Sequence, residues 1–147
     1  WTALYESKSG ERGIFNRQAA QKQAAKYGRR EEDIEYGTNP CSEIILRPKQ
    51  FCNLSEVVVR AEDTPETLDR KVELATILGT IQSCFTDFKG ISRQWTRNTE
   101  EERLLGVSLT GIMDNKLLSN TTRDSLSSLL SKLRLTAVTT IENGQNY

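Results

Sequence analysis

Apolar residues recur at helical spacing in two stretches of the chain, and a third stretch reads as a helix from its cap and composition. Asn16 can cap a helix over roughly 17–27, a segment rich in Ala and Gln, and Gly28 is placed to end it in the left-handed conformation. Thr64-Pro65-Glu66 combines a capping hydroxyl, a proline at the first helical position and an acid in the first turn. Leu68, Val72, Leu74, Ala75, Leu78, Ile81 and Phe85 then follow at three- and four-residue spacing, which predicts a helix over about 65–87. Gly79 inside it marks a place of close packing. Asn120-Thr121-Thr122 precedes Leu126, Leu129, Leu130, Leu133, Ala137 and Ile141, again at helix spacing.

Between these stretches the pattern shortens. Ile44-Ile45-Leu46 is a short apolar run, and Arg47-Pro48-Lys49-Gln50 reads as a turn. Phe51 to Arg60 has β-branched character, ending in Val57-Val58-Val59, and predicts a largely buried strand. Asn98-Thr99-Glu100-Glu101-Glu102 has the form of a second helix start. After it, Leu104 to Met113 is compatible with helix or strand, because Val107 and Leu109 alternate with small polar residues. Ser9-Gly10-Glu11-Arg12-Gly13 is a turn signal, and Arg29 to Asp33 reads as an exposed charged connection. No internal repeat or low-complexity linker is present.

Composition narrows the function classes. The chain has 147 residues, with 20 Lys plus Arg against 20 Asp plus Glu, a formal net charge of zero. Such a balance gives no electrostatic footprint for nucleic acid or an anionic membrane. No apolar run approaches the ~20 residues that span a bilayer. The apolar share is 36%, low against the ~45–50% (Gly included) of ordinary globular domains. It fits either a solvated helical domain or a segment of a larger protein whose core lies elsewhere. Trp1 without an initiator Met, and Asn143-Gly144-Gln145-Asn146-Tyr147 without a tail motif, add to the expectation of an internal fragment.

Three cysteines and no histidine close further options. An odd count at mixed spacing does not fit a secreted disulfide scaffold. Without His, neither a Ser-His-Asp nor a Cys-His arrangement can be built within the chain. No Cys-x-x-Cys spacing exists for zinc, and no metal site is expected. A reactive cysteine is left with redox or radical chemistry.

Asn39, Cys41 and Glu43 are spaced by two. If this segment is extended, an amide, a thiol and a carboxylate face one side, with Ser42 on the other. Pro40 fixes its own φ and pushes Asn39 towards an extended conformation. The trio suits a substrate with vicinal hydroxyls: the carboxylate can take a proton, the amide can hold a hydroxyl, and the thiol can exchange a hydrogen atom with the carbon between. Cys52 follows eleven residues after Cys41 and could return to the same site. Alone, an Asn-Pro-Cys is more often a turn with a small thiol, and Cys84, on an apolar helical stretch, reads as a core residue.

The longer strings carry a resemblance. Thr38-Asn39-Pro40-Cys41-Ser42-Glu43-Ile44 followed by Phe51-Cys52-Asn53-Leu54-Ser55-Glu56-Val57 resembles the finger-loop region of ribonucleotide reductases. It is closest to the adenosylcobalamin-dependent (class II) ribonucleoside-triphosphate reductases. Supporting blocks are Ser9 to Arg17, with Arg12 where the family often has Pro, and Leu78-Gly79-Thr80-Ile81-Gln82 with Phe85-Thr86-Asp87-Phe88. The longest runs from Asn98 to Asp114. The likeness covers roughly residues 5–118, and ordered blocks are more specific than any single motif.

The resemblance implies an α/β fold, part of a ten-stranded α/β barrel threaded by a finger loop near 37–52, with the whole chain 1–147 a piece of that catalytic barrel. It implies that Cys41 becomes a thiyl radical, that Glu43 is the general base on the 3′ hydroxyl, and that Asn39 holds the substrate hydroxyls. Cys52 is then one of two redox-active cysteines, its partner outside this chain. Ser42 stands where many relatives have Gly. The implied cofactor is adenosylcobalamin, with cobalamin-contacting residues unassigned. The implied partners are a ribonucleoside triphosphate substrate, a dNTP effector and a thioredoxin-like reductant, in the cytoplasm. The chain has too few strands to close the barrel and lacks the family's downstream phosphate loop and C-terminal cysteine pair, so inactivity in isolation is expected. Two other readings stand beside it: an inactive remnant that binds nucleotide or a partner subunit, and a thiol redox sensor using Cys41 and Cys52.

Overall fold

The computed structural model describes residues 1–10 and 13–144. Glu11 and Arg12, part of the expected turn and of one resembling block, lie outside the described residues, as do Gln145, Asn146 and Tyr147. The chain forms two compact units, Trp1–Gln50 and Phe51–Tyr147.

In the first unit, α1 (Thr2–Ser7) is followed by α2 (Arg17–Ala25). Asn16 caps α2 as expected, its Oδ1 accepting from the Ala19 N–H at 2.9 Å. Beyond the helix, Gly28 has φ +67° and its N–H donates to the Ala25 carbonyl, satisfying an orphan acceptor of the last turn. Ala20 and Ala24 are the buried face of α2. The unit ends in a small antiparallel hairpin of β1 (Gly37–Thr38) and β2 (Ile45–Leu46), with Gly37 opposite Leu46 and Thr38 opposite Ile45.

The second unit contains β3 (Asn53–Val58), α3 (Pro65–Ser83), α4 (Arg93–Glu102), β4 (Leu105–Thr110), a 3-10 turn at Ile112–Asp114, α5 (Lys116–Ser119) and α6 (Arg123–Gly144). β3 and β4 pair in parallel from Asn53 opposite Leu105 to Val58 opposite Thr110, with two helices in the crossover. Parallel pairing needs such a crossover and cannot be closed by a tight turn. Among the described residues the chain is therefore a mixed α/β structure with four short strands in two small sheets.

The start of α3 follows its sequence. Thr64 accepts from the Thr67 N–H, Thr67 Oγ1 accepts in return from the Thr64 N–H, and Pro65 takes the first turn. The helix ends at Ser83, short of the expected 87. Its buried stripe is Leu68, Val72, Thr76, Gly79 and Ser83, a run that shrinks towards the C-terminus. The shrinkage has a cause: a Cβ on Gly79 would come within 2.1 Å of Leu105 Cδ1 and 3.0 Å of Ser55 Oγ. The helix thus rides directly on the β3–β4 ladder. The core is Val57, Val59, Leu68, Val72, Leu118 and Leu133, with Ala75, Val107, Leu109, Leu126, Leu129 and Ala137 packed against it.

Three sequence expectations are corrected. Asn98 to Glu102 does not begin a helix; it is the second half of α4, which starts after Ser92. Arg103 then turns left-handed at φ +42° and donates its N–H to the Thr99 carbonyl, because the chain must leave the helix before Leu105 joins β3. Asn98, Thr99 and Glu102 face inward there. Cys84 is not a core residue but an exposed C-cap of α3, its thiol 3.4 Å from the Thr80 carbonyl. Finally, Phe85 lies beyond the end of α3 and is 71% exposed, and Leu74, Leu78 and Ile81 keep helical spacing yet are exposed as well. They lie off the stripe that meets the sheet.

The second unit leaves much apolar surface uncovered. A parallel ladder is normally covered on both faces. Here Ser55, Val57 and Val59 point to the helices, whereas Leu54 and Val58 are 44% and 43% exposed. A cleft of about 310 Å³ lined by Val72, Leu105, Val107, Leu130 and Val138 opens between β4 and α6. No helix is long and apolar enough to cross a membrane among the described residues.

Candidate active-site loop

Residues 39–44 connect β1 to β2. Asn39 to Ser42 form a β-turn closed by the Ser42 N–H on the Asn39 carbonyl at 3.0 Å. Pro40 occupies the second position, where its fixed φ is favoured, and Cys41 at the third keeps a negative φ, the type I pattern. Ser42 follows at φ +66°, in the left-handed region. The segment is therefore not extended, and alternation across a strand does not explain its side chains. Proline at the second position sets the turn, and the two-residue strands are too short to carry the extended geometry through it.

The turn nevertheless unites two of the three expected residues. Asn39 Nδ2 donates to Glu43 Oε1 at 2.5 Å, while Asn39 Oδ1 accepts from the Ile44 N–H at 3.1 Å and from the Thr38 hydroxyl at 3.3 Å. The Asn39 N–H and the Ile44 carbonyl add a longer contact of 3.4 Å. Asn39 is thus the hub of the loop, and its amide orientation is fixed by what each end bonds. Its second amide proton and Glu43 Oε2 have no partner among the described residues and remain available to a ligand. Cys41 stands between them in sequence at the exposed tip of the turn, as a free thiol.

Cys52 belongs to the other unit, where it is half-buried and also a free thiol. Both neighbours are anchored. Phe51 packs against Phe88 and Trp95 with ring centroids at 4.8 and 4.6 Å. Asn53 bonds the Leu104 carbonyl through its backbone N–H at 3.3 Å and its side-chain Nδ2 at 3.1 Å. The start of β3 is held on both sides of the thiol.

Sequence reading missed the support beneath the hairpin. Arg30, within the stretch expected to be an exposed charge run, is half-buried and bonds the Ile45 carbonyl and Gln50 Oε1. Its guanidinium lies over the ring of the buried Tyr36 just before β1, a contact that nothing in the sequence signals. Among the described residues no cluster of three Cys, Asp or Glu side chains could hold a metal ion.

Comparison with known proteins returns no matching family model, no matching curated protein and no matching solved structure.

Proposed function

We propose that the β1–β2 loop is the radical-bearing loop of a ribonucleotide reductase and that the chain is part of that enzyme's catalytic barrel. The observation that carries this reading is the Asn39–Glu43 hydrogen bond on the turn that exposes Cys41. Amide, carboxylate and thiol on one short loop are the groups needed to act on neighbouring ribose hydroxyls.

Each group has a distinct task. The thiyl radical of Cys41 takes the hydrogen atom from C3′ and becomes a thiol. Glu43 accepts the proton of the 3′ hydroxyl, which assists departure of the C2′ hydroxyl as water. Asn39 holds the hydroxyls through its unused amide proton. Cys52 and a cysteine outside this chain give up two electrons and two protons and end as a disulfide, which a thioredoxin-like donor reduces again. Glu43 returns its proton to the 3′ oxygen and Cys41 returns the hydrogen atom to C3′, which regenerates the thiyl radical. The substrate is a ribonucleoside triphosphate, a dNTP is the effector, and the setting is cytoplasmic.

Adenosylcobalamin would supply the homolysis that starts such chemistry. The residues present do not build a site for it: Cys41 and Glu43 are exposed on a narrow turn, and nothing on that turn forms a wall for a corrin. The cofactor therefore enters no step assigned to these residues. A thiyl radical also has to be kept from water. The uncovered apolar surfaces at Leu54, Val58, Leu78 and Phe85 fit a body completed by further chain, as an inactive-alone fragment requires.

The test is Cys41→Ser in the full-length protein. Loss of turnover with nucleotide binding retained supports the proposal, and unchanged turnover rejects it.

A further inference from the structure

The loop that carries Cys41 has few apolar anchors of its own, so something has to hold its two short strands. Arg30 lies between α2 and β1, outside the loop. Its Nη1 donates to the Ile45 carbonyl at 2.9 Å and its Nη2 to Gln50 Oε1 at 3.4 Å. The guanidinium carbon stands 4.7 Å from the centroid of the Tyr36 ring. Tyr36 is fully buried, and its hydroxyl donates to the Glu31 carbonyl at 2.7 Å. Gln50 Oε1 accepts from the Arg47 N–H at 2.8 Å as well.

These contacts join both sides of the hairpin. Tyr36 immediately precedes β1, Ile45 lies in β2, and Gln50 closes the turn beyond it. One planar cation lies over the ring of the residue before the first strand and forks onto Ile45 in the second strand and Gln50 beyond it. Lysine cannot reproduce this, because its ammonium is a point charge without a stacking face or a fixed fork. The connection to the reactive groups is short. Ile45 pairs with Thr38, and the adjoining Ile44 N–H is what the Asn39 Oδ1 accepts. If β2 slips, Oδ1 loses the Ile44 N–H and keeps only the longer bond from the Thr38 hydroxyl, which holds the amide less firmly against turning its Nδ2 away from Glu43.

We propose that Arg30 is a positioning residue for the Cys41 loop: by fastening Ile45 and Gln50 against the Tyr36 ring, it fixes the Asn39 amide that orients Glu43. The catalytic meaning of that role rests on the reductase reading; the coupling from Arg30 to Asn39 does not.

The experiment measures the Asn39 side-chain amide protons by NMR in the chain, and turnover in the full-length protein. Arg30→Lys is compared with Arg17→Ala, which removes an exposed ion pair to Glu35 in the same unit. Arg30→Lys is expected to speed exchange of the Glu43-bonded amide proton about tenfold. It also lowers kcat about tenfold with KM little changed, since small displacements of reacting groups cost rate. Arg17→Ala leaves both unchanged. An unaltered Asn39 amide signal in a folded Arg30→Lys protein overturns the proposal. If Arg30→Lys does not fold, Gln50→Met removes the oxygen that accepts from the Arg30 Nη2. It is expected to shift the same signal by a smaller amount, and no shift overturns the proposal equally. An Asn39 response together with full activity in Cys41→Ser leaves the coupling standing and removes the reductase reading alone.

Discussion

The β1–β2 hairpin and the β3–α3–β4 body are held by different forces. The body rests on apolar burial, with Leu68 and Val59 fully enclosed and α3 close enough to the ladder that Gly79 has no room for a methyl group. The hairpin has two residues in each strand, an exposed tip, and a network of directional bonds through Asn39, Arg30 and Gln50. Each such bond contributes on the order of 1 kcal/mol net. A region built this way adds little to global stability but orients a few groups closely. Substitutions in the body should therefore be read as stability, and substitutions in the hairpin as reactivity at Cys41.

The strongest way to break that contrast is Leu68→Ala. Leu68 is central to the core with Val57, Val72 and Leu133, and a Leu→Ala change at such a site costs about 2–5 kcal/mol. Urea unfolding should show that loss. Below the transition, the rate of Cys41 alkylation should match the parent chain, since the bonds that Asn39 makes to Glu43 and Ile44 involve no residue of this core. An unchanged unfolding midpoint, or a much altered thiol rate in the folded protein, would break the division between the two regions.

The next effect concerns a polar knot inside the body. Asp63 is buried at the turn between β3 and α3. It accepts from Lys71 Nζ at 2.5 Å, the Arg60 N–H at 2.7 Å and the Thr67 hydroxyl at 2.9 Å. The Lys71 hydrogen bond, then the Arg60 N–H, holds its carboxyl down to about 2, while burial opposes them. Asn115 ties the same turn to α5 by donating to the Arg60 and Asp63 carbonyls at 2.8 and 2.9 Å. A carboxyl whose pKa is depressed on folding stabilises the fold above its unfolded pKa, near 4. That stabilisation is lost as pH falls from about 4 towards 2, because the unfolded chain takes up the proton first. Asp63→Asn should destabilise by about 1–3 kcal/mol at neutral pH and flatten the acid limb of a pH–stability curve. An acid limb unchanged by the substitution would show that other carboxyls set it.

The contrast also explains what could be read in the sequence. Local signals were legible: the Asn16 cap, the Thr64-Pro65 start, Gly28 beyond α2 and the strand within Phe51 to Arg60 all have their causes within a few residues. Non-local facts were not. The parallel pairing of β3 with β4 joins residues some fifty positions apart, and it alone makes Leu104 to Met113 yield a strand. It also ends α4 at Glu102, within the stretch whose sequence has the form of a helix start. Periodicity identified α3 but not its inward stripe, because Thr76, Gly79 and Ser83 are small rather than apolar. At the loop, Asn39 and Glu43 were expected to be neighbours through an extended strand. They are neighbours through a turn, since the left-handed Ser42 that follows the type I turn brings Glu43 back to Asn39. Arg30 escaped notice because the Ile45 carbonyl and the Gln50 amide oxygen that it bonds leave no charge pattern in the sequence.

The smallest effect tests the loop itself. Ser42 has φ +66°, a conformation that costs an L-residue roughly 1–2 kcal/mol and glycine almost nothing. The hairpin needs that conformation, because the type I turn at Asn39 to Ser42 must be followed by a left-handed residue for the chain to rejoin β2. Ser42→Gly should then favour the folded loop, offset in part by the greater freedom glycine has when unfolded. The net gain is expected to be under about 1 kcal/mol. Global unfolding will barely record it, but amide exchange within residues 39–44 should slow a few-fold. The Asn39–Glu43 bond should persist, since none of its atoms belongs to Ser42. Faster exchange in the glycine variant would mean that the serine side chain, rather than the backbone twist, holds this turn. The hairpin would then depend on side-chain contacts at its tip as well as on the Arg30 fork at its base.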